Sequence, residues 1–154
     1  MGSSISEELG EKILFASKIM VNILAESLIH ARAQGLSAPQ FRILDMIYHG
    51  TCKPADIARM LDVSPPAISW LLGKLEEGGY IERSLLKQDR RRIDLELTGV
   101  GKDVVKRVNS HRKKLLNGVL SGLDDETVTH LEVSLGAFAD AYLAGKQECL
   151  KANA

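Results

Sequence analysis

The sequence predicts a mainly α-helical chain with one small β-hairpin, and three observations carry that expectation. Apolar residues recur at spacings of three and four through most of the chain, and Gly, Pro and Ser sit where those runs begin and end. The period changes to two once, in R-I-D-L-E-L at residues 92–97. With 154 residues, 45% hydrophobic and 26% charged, the chain can bury one core, and its 5% aromatics fit helices built on Leu, Ile and Ala. Lys and Arg number 20, as do Asp and Glu, so attraction to a polyanion must come from where charges sit.

Residues 7–33 place Leu9, Ile13, Leu14, Met20, Ile23, Leu24, Leu28 and Ile29 mostly three or four apart, predicting a long amphipathic helix with Gly35 as its stop. Ser37 stands three residues before Gln40, a capping box, and opens a second helix carrying Phe41, Leu44, Ile47 and Tyr48 up to Gly50. A third, short helix starts at Pro54. After D-V-S, Ser64 caps a fourth, whose first turn tolerates Pro65 and Pro66 because those positions have no helical N–H partner. That helix turns Ile68, Leu71, Leu72 and Leu75 one way and Ser69, Trp70, Gly73, Lys74 and Glu77 largely the other, and Gly78 and Gly79 end it. Y-I-E-R-S-L-L and R-I-D-L-E-L read as hairpin strands joined by K-Q-D-R-R, with Ile93, Leu95 and Leu97 on one face and Asp94 and Glu96 on the other. Thr98 caps a fifth helix holding Val100, Val104, Val105, Val108, Leu115, Leu116, Val119 and Leu120. Asp124 and Asp125 are cap candidates for a sixth, holding Val128, Leu131, Leu135, Phe138, Tyr142 and Leu143.

Helix, short helix, tight turn, helix, hairpin is the plan of a winged helix-turn-helix. Small Ala58 lets the two helices of the turn cross closely, while Leu61, Val63 and Ile68 fill the space between them. The outward face of the second helix is then free to enter a major groove. Ser64, Pro65, Pro66, Ser69 and Lys74 offer hydroxyls, an ammonium and apolar carbon for phosphates, base edges and thymine methyls. At the hairpin tip Lys87, Arg90, Arg91 and Arg92, with Arg83 at the strand start, gather five positive charges around Asp89. Such arginines can reach a narrow minor groove or clamp flanking phosphates, and Asp89 can pair with one guanidinium so that another points outward.

The segments L-S-A-P-Q-F-R-I-L, D-I-A-R-M-L-D-V-S-P-P-A-I-S, L-E-E-G-G-Y-I-E-R and D-R-R-R-I-D-L-E-L-T-G-V-G resemble, in order and spacing, the MarR (multiple antibiotic resistance regulator) family. The resemblance covers nearly the whole chain, and the D-R-R wing followed by L-T-x-x-G is specific. It implies a homodimer on double-stranded DNA, with dimerisation helices over 1–36 and 99–154 flanking a DNA-binding winged helix-turn-helix over 37–98. It also implies a pseudo-palindromic operator and an effector of the small aromatic or phenolic acid type, and because a dimer seated on a promoter blocks polymerase the expected regulator is a repressor. That effector would sit in a crevice near Met20, Leu24, His30, Arg32, Met46 and His111, with no residue assigned to it. Two departures stand out: Trp70 replaces the family's usual basic residue, and Gly73 falls where a polar or charged residue is common. Trp70 could stack on sugar, touch methyl groups or pack against the wing. Lys53 replaces a Ser or Thr cap, weakening the start of the third helix.

Other chemistries find little footing. No paired carboxylates, nucleophile with base, or Gly-rich phosphate loop stands at working spacing, so no enzyme is expected. The rival is a winged-helix protein-interaction module without DNA binding, suggested by Trp70, Gly73 and the zero net charge. Among the scattered histidines only Glu26 with His30 has metal-ligand spacing on a helix, so no metal or cofactor is expected. Cys52, before a helix start and beside Lys53, reads as a small buried hydrophobe more than a reactive thiol, and Cys149 as an idle one. With no disulfide pattern and no apolar run of bilayer length, the expected setting is the reducing cytoplasm, away from membranes. The start M-G-S-S-I-S matches only a short, common lipidation pattern.

Overall fold

The computed structural model describes residues 7–33, 35–85 and 93–152, with the backbone alone for 85, 93 and 146–152. The elements are α1 (Glu7–His30), α2 (Ala38–Tyr48), α3 (Pro54–Leu61), α4 (Pro65–Glu77), β1 (Ile81–Leu85), β2 (Ile93–Leu97), α5 (Gly99–Leu120) and α6 (Asp125–Ala152). The class is the expected one, mainly helical with an antiparallel hairpin that pairs Ile81 with Leu97 and Leu85 with Ile93. The chain divides into two compact units, Met1–Lys113 and Lys114–Ala154.

Local chemistry sets most of the boundaries. At α2 both halves of the capping box form: Gln40 N donates to Ser37 Oγ, and Ser37 N donates to Gln40 Oε1 at 2.8 Å. At α3, Lys53 provides no side-chain cap. Thr98 Oγ1 accepts from Gly101 N at 3.1 Å and donates to the Gly79 carbonyl at 2.7 Å, so one hydroxyl starts α5 and ties it to the end of α4. The end of α1 corrects the sequence expectation. The helix stops at His30, and the stop is Arg32, left-handed at φ 53, with Ala33 N bonded to Leu28 O and Arg32 N to Ile29 O. This is a Schellman ending carried by an arginine, which sacrifices conformational ease that glycine would have kept; Gly35, at φ 96, lies in the turn beyond.

The core of the first unit collects Phe41, Ile43 and Leu44 from α2, Ile57 from α3, Leu72 and Leu75 from α4, Leu95 from β2, and Val105 and Val108 from α5. Each such side chain contributes about 1.5–3 kcal/mol by leaving water. Leu95 and Leu97 are buried while Glu96 is exposed, as period two requires. Leu95 N also donates to the Cys52 carbonyl at 2.8 Å, so the segment before α3 covers the free edge of β2. Cys52 is half-buried, and its thiol donates to the Gly50 carbonyl at 3.4 Å.

Gly101 explains the L-T-x-x-G motif. A Cβ there would run into the Tyr80 carbonyl, so only glycine lets α5 begin against the strand.

Helix α1 buries Ile23, Ser27 and Leu28, while Leu14, Phe15, Val21 and Ile29 stand more than half exposed. Contrary to the expectation that nothing reaches bilayer length, α1 is long and apolar enough by length and composition to cross a membrane. The expectation sought an unbroken run, and Lys18, Asn22, Glu26 and Ser27 interrupt this one without lowering its mean enough. Those groups recur almost every turn, and Ser27 is buried, its hydroxyl donating to Ile23 O at 2.7 Å and lying 3.1 Å from His111 Nδ1. A lipid-facing helix would have to bury the charges of Lys18 and Glu26 in hydrocarbon.

The second unit holds the end of α5 and all of α6. Asp124 caps α6, its Oδ1 accepting from Thr127 N at 2.7 Å. That hydrogen bond lowers the Asp124 pKa below its ordinary value. None of the described side chains of α6 is buried within the chain.

Candidate nucleic-acid interface

The turn between α3 and α4 is three residues long. Asp62 adopts the left-handed conformation at φ 55, and Val63 N returns to the Ala58 carbonyl at 3.0 Å, so the chain reverses within one residue of the helix end. Ser64 then caps α4, its Oγ accepting from Ala67 N at 3.4 Å. Ile68, Leu72 and Leu75 anchor the inner face of α4, Ile57 is fully buried beneath α3, and Ala58, Leu61 and Val63 pack against the same core. The helix is held rigidly from one side.

On the other side the structure brings together the six residues chosen from sequence on α4 and its cap. Ser64, Pro65, Pro66, Ser69, Trp70 and Lys74 are all exposed, Trp70 at 63%. The Ser64 oxygen is committed to the cap, which leaves its O–H proton for an outside acceptor. Two glutamates whose pairing sequence reasoning did not draw alter the charge of this surface. Lys74 Nζ lies 2.7 Å from Glu77 Oε2, and Arg83 Nε lies 2.9 Å from Glu76 Oε1. The two of the expected cations that lie among the described residues are therefore met by carboxylates, as is Arg59 on α3 by Asp56. The first pair is separated by three residues on one helix and was readable; the second joins α4 to β1 and was not. Lys87, Asp89, Arg90, Arg91 and Arg92 lie outside the described residues.

A cavity of about 520 Å³ lies against the inner side of the same turn, among α1, α2, α3, α4 and α5. Leu24, Phe41, Leu61, Val63 and Leu71 give it apolar walls, and Arg42, Asp45 and Arg112 supply charge. Asp45 Oδ1 accepts from Asn109 Nδ2 at 2.7 Å, and Arg112 Nη1 donates to Asn109 Oδ1 at 3.3 Å. Arg112 Nε is buried with no hydrogen-bond partner among the described residues, which costs about 1–3 kcal/mol unless something outside the chain accepts from it. Of the residues expected near a crevice, Leu24 lines this cavity and Met20, His30, Arg32, Met46 and His111 do not. His30 and His111 instead stack on each other, ring centres 3.9 Å apart. Among the described residues no three His, Cys, Asp or Glu side chains converge on a point that could hold a metal.

The sequence model of the MarR family matches residues 34–92. The HTH-type transcriptional repressor MdtR of Bacillus subtilis is 31% identical over 122 residues, 77% of this chain and 79% of MdtR. The HTH-type transcriptional regulator YwhA of the same organism is 35% identical over 85 residues, 54% of this chain but only 61% of YwhA, under two thirds of its length. Among solved structures, RV1404 of Mycobacterium tuberculosis superimposes with a TM-score of 0.78 at 27% identity, over 92% of this chain and 97% of that one.

Proposed function

The chain belongs to the MarR family and is a DNA-binding transcription regulator, not an enzyme, and from that premise we propose that it is an effector-released, cytoplasmic repressor acting as a homodimer on a pseudo-palindromic operator. DNA reading falls to residues 37–98, and dimerisation to 1–36 and 99–154. The observation that carries the reading is α4: a capped helix, anchored on its inner face, with Ser64, Pro65, Pro66, Ser69, Trp70 and Lys74 turned to solvent. Arg83, Lys87, Arg90, Arg91 and Arg92, ordered by Asp89, would supply phosphate or minor-groove contacts. Two half-sites about 10 base pairs apart follow from the two-fold symmetry of such a dimer. A dimer seated over a promoter obstructs polymerase, which favours repression.

The effector reading rests on the cavity. Its apolar walls suit a small ring, and Arg42 and Arg112 suit a carboxylate, with the orphaned Arg112 Nε as the waiting donor. Leu61, Val63 and Leu71 belong to the helix-turn-helix itself, so a ligand that displaces them re-aims α4. This supports a small aromatic or phenolic acid as the effector.

The test is a gel shift with DNA from upstream of the protein's own gene, with and without salicylate as probe. A shifted band that salicylate releases, and that Arg112→Ala no longer releases, is the expected result. A retarded band indifferent to salicylate overturns the effector reading at this site, and no retardation at any DNA favours the protein-interaction module.

A further inference from the structure

We propose that Trp70 reads thymine: its indole packs on the 5-methyl group of one thymine per half-site in the major groove, and Gly73 leaves the room for that approach. The inference rests on the DNA-binding reading and adds to it a base and a residue.

Four observations converge. First, Trp70 is 63% exposed in the middle of the outward face of α4. Tryptophan has more apolar surface to gain from burial than almost any other side chain, so leaving it in water is costly unless a partner covers it. Second, among the described residues Trp70 has no aromatic ring stacked on it; the ring pairs there are His30 with His111 and Tyr48 with His49. Third, Gly73 lies three residues on, beside Trp70 on the helix surface. Glycine in a helix is about 0.8–1.0 kcal/mol less favourable than alanine. Among the described residues nothing demands it, because an added Cβ at 73 would meet no atom within 4 Å. Such a notch, unused by the described residues, suits something that comes up against the helix.

Fourth, the charge on this face is already engaged. Lys74 is held by Glu77 and Arg83 by Glu76, so among the described residues of α4 and its cap the groups left to discriminate bases are the Ser64 and Ser69 hydroxyls and the carbon of Pro65, Pro66 and Trp70. Pro66 and Trp70 are four apart and share one strip of the helix. In the major groove the apolar group that a base pair presents is the thymine 5-methyl. An apolar strip flanked by an open notch on a groove-reading helix matches that group. It does not match guanine or adenine edges, which call for donors.

Trp70 is the single tryptophan of the chain, which gives the test a direct signal. A random-sequence duplex library is selected on the intact wild-type protein. In the enriched duplex each thymine is then replaced, one at a time, by deoxyuridine, which removes the methyl and keeps every hydrogen-bonding group. The expected result is one position per half-site where the replacement weakens binding about threefold or more, the order set by one buried methyl. The same duplex should quench or shift the Trp70 emission, less so with uracil at that position. Trp70→Ala, an exposed substitution whose folding is checked by its melting temperature, should bind more weakly and treat the two bases alike. Gly73→Ala should melt no lower than wild type and yet lose affinity.

Equal binding of thymine and uracil at every position overturns the proposal, as does retained discrimination in Trp70→Ala. A library that yields no enriched duplex overturns the DNA-binding reading beneath it, so the two failures are distinguishable.

Discussion

Helices α2 and α6 carry the same kind of pattern, apolar residues at helical spacing, and end in opposite surroundings. In α2, Phe41, Ile43, Leu44 and Ile47 are buried out of 11 residues; in α6, of 28 residues, Leu131, Val133, Leu135, Phe138, Tyr142 and Leu143 are all exposed. Periodicity says which face of a helix is apolar and nothing about whose atoms cover it. The chain covers α2 with its own α3, α4 and α5 core residues, and leaves α6 and the outer side of α1 uncovered. An exposed apolar surface of that extent marks an interaction face, and in a regulator proposed to be dimeric a second copy is the occupant at hand.

The sharpest way to break the contrast is to cut into both helices. Leu44→Ala removes a fully buried side chain and should cost about 2–5 kcal/mol in urea unfolding, the same at every protein concentration. Phe138→Ala removes a ring that is 59% exposed. It should instead weaken self-association about fivefold or more, seen by sedimentation equilibrium, and make melting depend more steeply on concentration. If Phe138→Ala leaves association untouched, α6 is not the dimer surface.

A somewhat smaller effect tests how the helix-turn-helix and hairpin are joined to α5. Gly101→Ala places a methyl against the Tyr80 carbonyl, a backbone atom that cannot swing aside. The loss should be about 1–3 kcal/mol, with Tyr80 and Thr98 the first amides to lose exchange protection. A wild-type melting curve would mean that α5 starts elsewhere in solution.

How much of this was legible beforehand differs by the range of the interaction. The caps were readable, because Ser37 with Gln40, Ser64, Thr98 and Asp124 each act on a neighbour three residues away. The end of α1 was misread because glycine is the usual left-handed residue, and here Arg32 takes that conformation three residues before Gly35 could. The Glu76–Arg83 pair spans helix and strand, and the Asp45–Asn109 bond spans 64 residues; neither leaves any trace in spacing. Nor does the cavity, whose walls come from five helices. Sequence therefore picked out the exposed face of α4 and missed the carboxylates that meet Lys74 and Arg83 on and beside it.

The Lys74–Glu77 pair supplies the next test. Glu77→Gln removes the carboxylate that holds Lys74, an exposed pair whose stability contribution is small. Melting should barely move, while affinity for non-specific DNA should rise. The plot of log affinity against log salt should steepen by about 0.9, the value for one more neutralised phosphate. An unchanged slope would place Lys74 away from the DNA backbone.

The smallest effect concerns the end of the molecule that the chain does not cover. Asp124 accepts from the Thr127 N–H, and that hydrogen bond to the charged carboxylate, the largest cause, lowers its pKa in the folded protein. The sign follows by linkage: the unfolded chain takes up the Asp124 proton before the folded one does, so the cap contributes fully above the ordinary carboxyl pKa and is lost as pH falls through the lowered one. Exchange protection of the Thr127 amide should therefore decline on acidification across that window, after correction for the intrinsic rate. In Asp124→Asn the side-chain oxygen can still cap but does not titrate, so protection at Thr127 should become flat with pH. A decline that persists in Asp124→Asn would assign the acid sensitivity of α6 to another carboxylate, with Asp125 and Glu126 in its first turn the next to substitute.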